Sequence, residues 1–130
     1  MPNNNRSFTR VALNLGVEVE SEVEPAFLAK AQDLSLKGVY VITDHGMGLD
    51  SKCHLTLFPE SGTGISKIVV EGRVARPAHD GLGIEFTSIT TSEFHHLRDL
   101  LSILASNDTA IDQEYTQQLK AERRDISLIF

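Results

Sequence analysis

The sequence predicts a mostly β domain completed by C-terminal helices. Three observations carry this: short stretches in which apolar residues alternate with polar ones, turn-forming clusters between them, and a change to helical spacing after Ile89. With 130 residues, 41% of them hydrophobic, the chain is long enough for one unit with a real core and too short to expect two. Six strand-like stretches with frequent turns leave two architectures open, a closed antiparallel barrel or a sandwich.

The first stretch runs from Val11 to Val19, where Val11, Leu13, Leu15, Val17 and Val19 take the odd positions and Asn14 and Glu18 fall between them. A period of two marks a strand with one buried face. Glu18, Glu20, Glu22 and Glu24 read as its solvated face and turn, and Pro25 bounds the SEVEP segment. Further strands are expected at Phe27 to Ala31, Val39 to Ile42, Cys53 to Phe58, Ile68 to Ala75 and Gly83 to Phe86. Thr90 followed by Glu93 has the form of a capping box, and Ile89 with Phe94 fits a hydrophobic staple. Phe94, Leu97, Leu100, Leu101 and Leu104 then make one apolar helical stripe that should dock on the sheet. After the polar interval Ser106 to Thr109, a second and narrower stripe comprises Ile111, Tyr115 and Leu119. The end, RRDISLIF, shows no helical amphipathicity and reads equally as a last strand, a docked tail or a partner contact.

Charge narrows the partners. A net charge of -6 argues against binding to a nucleic-acid polymer or an anionic lipid surface, which usually requires excess Lys and Arg. An anion bound by this chain must be gripped locally. The single cysteine, Cys53, rules out an intramolecular disulfide, and MPNNNRSFTR lacks the profile of a signal peptide, so a cytoplasmic location is expected. No apolar run approaches the roughly 20 residues that span a bilayer, so no membrane insertion is expected.

Two stretches carry binding chemistry. Arg6 and Arg10, in RSFTR, are the only charged side chains before Glu18. Each offers a planar fork of donors suited to a phosphate or to the O6 and N7 edge of guanine. In DLSLKG, Asp33 can accept from the N1–H and N2–H edge of guanine, Ser35 can bond a phosphate or base, and Gly38 permits a positive φ or a close backbone approach. Taken singly, the first stretch is an ordinary solvated terminus and the second an ordinary turn between strands.

Together they resemble the PilZ domain, the bacterial receptor module for cyclic di-GMP, whose signature is R-x-x-x-R followed by [D/N]-x-S-x-x-G. GLGIEF, residues 81 to 86, is similar to that family's late strand before its helix. The resemblance covers about residues 5 to 105. It implies a six-stranded antiparallel β-barrel with a helix packed near one opening, followed here by one or two helices in all. It also implies that Arg6 and Arg10 clamp the guanines and phosphates of cyclic di-GMP while Asp33, Ser35 and Gly38 form the opposite wall. Many family members place a further arginine before the pair, where this chain has Asn5. Three parts follow: residues 1–10 as a flexible ligand-clamping arm, 11–105 as barrel and packed helix, and 106–130 as a helical extension and tail.

The function this implies is a non-enzymatic effector. Cyclic di-GMP would be its ligand, no other cofactor is expected, and an unidentified protein partner in motility, adhesion or exopolysaccharide control would read the change of shape. The alternative is an adaptor of the same fold that acts by protein contact without nucleotide, although such adaptors typically lose the paired arginines. A small enzyme has least support, because no nucleophile with a base and no carboxylate pair is recognisable. A metal site is not expected: His45, His54, His79, His95 and His96 lack ligand spacing, and Cys53 alternates with Leu55 and Leu57 as a buried structural thiol. The glycines at 46, 48, 62 and 64 read as turns rather than a phosphate loop.

Overall fold

The structure is a computed structural model that describes residues 8–23, 25–60, 62–105, 108–122 and 127–129. Its strands are β1 (Val11–Glu20), β2 (Phe27–Leu34), β3 (Gly38–Ile42), β4 (Lys52–Phe58), β5 (Ile68–Pro77), β6 (Gly81–Thr90) and β7 (Ser127–Ile129). Two helices, α1 (Thr91–Leu104) and α2 (Asp108–Glu122), separate the last two strands. The sheet order is β3-β2-β1-β4-β5-β6-β7, and β3 also pairs with β6, so the first six strands close into an antiparallel barrel and β7 is added on β6. Closure settles the choice between barrel and sandwich.

Alternation decides which residues fill the barrel. Val17, Val19, Leu55, Leu57, Val39 and Val41 point inward and are fully buried, while their neighbours along each strand face outward. Cys53 belongs to this inner set, and burial, with a smaller contribution from Glu71, pushes its thiol up to about 11, so it is an inert packing group. Helix α1 completes the core with Phe94, Leu97, Leu100 and Leu101, all at most 1% exposed. Thr90 caps it by accepting from the Glu93 N–H at 3.2 Å. The Glu93 carboxylate accepts from the Val69 N–H at 3.2 Å, so the residue that the capping box assigns to the helix start also ties the helix to β5.

Helix α2 docks on α1 through Ile111, which is buried, and through Tyr115, whose ring stacks on Phe94 at 5.0 Å between centroids. His95 Nδ1 lies 3.2 Å from the Tyr115 hydroxyl, and Arg98 donates to Asp112 at 3.0 Å. The stripe Ile111, Tyr115 and Leu119 is therefore the buried face of α2, as its spacing predicts. Of the C-terminal residues left open between strand, tail and contact, Ser127–Ile129 form a strand against Ser88–Thr90, on the part of β6 that β3 does not cover.

Three strands extend at least two residues past their predicted ends, and bulges or glycines explain why. The alternation of β2 stops at Ala31, where the predicted strand ends. The pairing nevertheless continues to Leu34, because a register shift between Ala31 and Asp33 inserts Gln32 and inverts the pattern. A second shift, between Val74 and Arg76, sits near the end of β5, which runs on to Pro77. β6 begins at Gly81, before the predicted Gly83, because Gly81 and Gly83 carry no side chain to reveal alternation, and it continues to Thr90.

Candidate functional site

The segments singled out in the sequence converge at the start of β1 and the turn between β2 and β3. Val11 pairs with Leu34 and Ala12 with Asp33, which places Arg10 beside Asp33. Arg10 donates from Nε and Nη2 to Asp33 Oδ1 at 2.8 Å and 2.5 Å. With side chains 48% and 32% exposed, this is a surface ion pair worth about 0–1 kcal/mol, so the arginine fork can be re-aimed at small cost. Asp33 faces outward only because Gln32 is bulged; regular alternation after Ala31 would turn its carboxylate into the barrel. Arg6 lies outside the described residues.

The turn is held from within. Ser35 is 1% exposed, its Oγ accepts from the N–H groups of Lys37 and Gly38 at 3.1 Å and 3.2 Å, and its own N–H donates to the Gly38 carbonyl at 2.9 Å. The next tie is across strands, from the Phe86 N–H to the Lys37 carbonyl at 2.8 Å. Gly38 is needed for close approach rather than for a positive φ: a Cβ there would sit 2.7 Å from the Ile84 carbonyl oxygen of β6.

These parts border one open cavity of about 360 Å³, lined among others by Phe8, Arg10, Ser35, Lys37, Gly38 and Arg76. That volume lies in the range of about 300–1,000 Å³ usual for small-molecule sites. Four of the five residues singled out thus come together, Arg10, Ser35 and Gly38 on the cavity and Asp33 through its bond to Arg10. Sequence reasoning missed Phe8, Lys37, Arg76 and Gly83. Lys37 stood inside DLSLKG as an unassigned position; its ammonium lies 5.4 Å from the centroid of the Phe8 ring. Arg76 comes from β5, where its guanidinium lies 5.9 Å from the Tyr40 ring centroid. The Tyr40 hydroxyl donates to Asp80 at 2.8 Å, and this bond holds the phenol above and the carboxyl below their ordinary values.

Three cations, Arg10, Lys37 and Arg76, beside the carboxylates of Asp33 and Glu85 suit an anionic ligand that also offers donors. A larger cavity of about 420 Å³ is bordered by Glu20, Glu22 and Glu71 against one lysine, Lys52, and this excess of carboxylates disfavours an anion. Another, of about 170 Å³ between β1 and α1, is lined by Leu13, Leu15, Leu100 and Leu104 and carries no cation. Among the described residues no group of three or more His, Cys, Asp or Glu is placed to hold a metal ion, and no helix is long and apolar enough to cross a membrane.

Thr9, just before β1, is tied to α2. Thr9 donates from its backbone N–H to both carboxylate oxygens of Glu114 on α2 at 3.1 Å, and from its hydroxyl to Oε2 at 2.6 Å.

Barrel, turn and cavity define a small β-barrel module with a cation-lined rim. The PilZ domain profile matches residues 4–102, and the chain belongs to that family. Solved structures agree in fold. The PilZ domain of YcgR from Escherichia coli, solved with c-di-GMP, superposes with a TM-score of 0.65 at 10% identity, covering 93% of this chain and all of that one (100%). MotI/DgrA, the inhibitor of motility of Bacillus subtilis, gives a TM-score of 0.62 at 16% identity over 94% of this chain, which spans only 55% of MotI. The PilZ domain of CeSA from a cellulose-synthesizing bacterium gives 0.56 at 12% identity over 74% of this chain and 94% of its own. No curated protein sequence matches.

Proposed function

We propose that this protein is a non-enzymatic receptor for cyclic di-GMP, which it binds in the cavity between Arg10 and the β2–β3 turn. The observation that carries the reading is the meeting of Arg10, Ser35 and Gly38 at one cation-lined cavity, with Asp33 bonded to Arg10 at its edge. The ligand has two phosphates and two guanines. Both Arg10 bonds fall on Asp33 Oδ1, so Oδ2 keeps its acceptor capacity for the N1–H and N2–H edge of a guanine. The Arg10 fork has donors to spare for a phosphate. Arg6, by family resemblance, is the second clamp, and Gly38 lets β3 lie close against β6 in the wall of the cavity.

In this reading residues 1–10 act as the ligand-clamping arm, 11–105 as barrel and helix, and 106–130 as the output extension. The Thr9–Glu114 bonds supply a route between the first and the last: a ligand that draws the arm onto the cavity moves Thr9 and so acts on α2. The recipient is a cytoplasmic protein partner in motility, adhesion or exopolysaccharide control.

Titration calorimetry with cyclic di-GMP tests the proposal. The wild type is expected to bind in the micromolar range or tighter, and Arg10→Ala to bind about tenfold or more weakly, as expected for losing a charge-assisted bond. A wild type that does not bind would contradict it.

A further inference from the structure

Building on that reading, we propose that Arg76 is a second gripping arginine of the described site, donating its fork to a phosphate of cyclic di-GMP from the β5–β6 wall of the cavity. Three observations point to it. The first is placement. In a regular strand Arg76 would share the inward parity of fully buried Val74, but the pairings Val74 with Ile84 and Arg76 with Gly83 show that Ala75 is bulged, which turns Arg76 outward to the cavity. The bulge at Gln32 acts in the same way on Asp33, turning it outward to bond the cavity-lining Arg10, so two separate irregularities place polar groups at or beside one cavity.

The second observation is the bed on which the side chain lies. A Cβ at Gly83 would come within 3.2 Å of Arg76 Cβ and 3.6 Å of Nε, so the missing side chain at 83 is what lets the arginine lie across β6. Tyr40 pairs with the same glycine from the other side and presents its ring to the guanidinium, itself held by Asp80. The third is the lack of a carboxylate partner. Arg10 faces Asp33, Arg73 faces Asp50 and Glu85, and Arg98 faces Asp112 and Asp99, whereas the Arg76 guanidinium has no hydrogen bond or ion pair among the described residues. A contact with a ring face uses none of the in-plane N–H donors, which stay available to an anion.

The test is calorimetry with cyclic di-GMP on wild type, Arg76→Ala, Arg76→Lys and Arg10→Ala, with thermal melting of each. Arg76→Ala should bind about tenfold or more weakly than wild type while melting at an unchanged temperature, since the side chain is exposed. Arg76→Lys keeps the charge and stem but not the fork, and should fall between the two. Wild-type affinity in Arg76→Ala, alongside weakened binding in Arg10→Ala, would overturn this assignment and leave the receptor reading standing. Full affinity in Arg76→Lys would overturn the forked grip. A wild type that does not bind overturns both proposals.

Discussion

The two sides of the cavity are built on opposite principles. The β2–β3 turn is buried: Ser35 spends its hydroxyl on the N–H groups of Lys37 and Gly38, and Gly38 presses on the backbone of β6. The arginine side is exposed: Arg10 is held by one surface ion pair and Arg76 by a ring contact. The contrast separates two duties that the motif residues share. The turn fixes the shape of the site as part of the fold, and the arginines supply charge that can be redirected to a ligand without disturbing the barrel.

That division can be broken by substitution, with the largest effect on the buried side. Gly38→Val places atoms where a Cβ alone would stand 2.7 Å from the Ile84 carbonyl oxygen, so β3 and β6 must part. A loss of about 3 kcal/mol in denaturant unfolding is expected, by analogy with overpacked cores, together with loss of ligand binding. Ser35→Ala removes the acceptor of two N–H groups and should cost about 1–2 kcal/mol by the same measurement. Arg10→Ala should cost under about 1 kcal/mol of stability although it weakens binding about tenfold or more. If Arg10→Ala destabilised the fold as much as Ser35→Ala, the two sides would not differ in kind.

The sequence discloses the barrel more fully than the site, for a physical reason. Alternation reports burial directly, so β1 and β4 are legible within a residue of their ends. It fails where a bulge inverts it, as after Ala31, and where glycines leave it blank, as at Gly81 and Gly83. The site lies at those same places. Asp33 and Gly38 are visible because their residue types suit both a turn and a guanine, but the bond of Asp33 to Arg10 depends on register, which no local pattern reports. Arg76 did leave a signal: an arginine at the inward parity of Val74 cannot stay inside an apolar barrel unpaired, so a bulge could have been inferred there. The β7 strand could not, because three residues are too few for a period to speak.

The account's central claim concerns where the ligand sits, and a titration of the ¹⁵N-labelled protein with cyclic di-GMP, followed by amide chemical shifts, tests it most directly. Shifts are expected to concentrate at Thr9, Arg10, Ser35, Lys37, Gly38, Gly83 and Ile84, around the 360 Å³ cavity. Shifts concentrated instead around Glu20, His54 and Glu71 or around Leu13 and Leu100, or no shifts at saturating ligand, would contradict it.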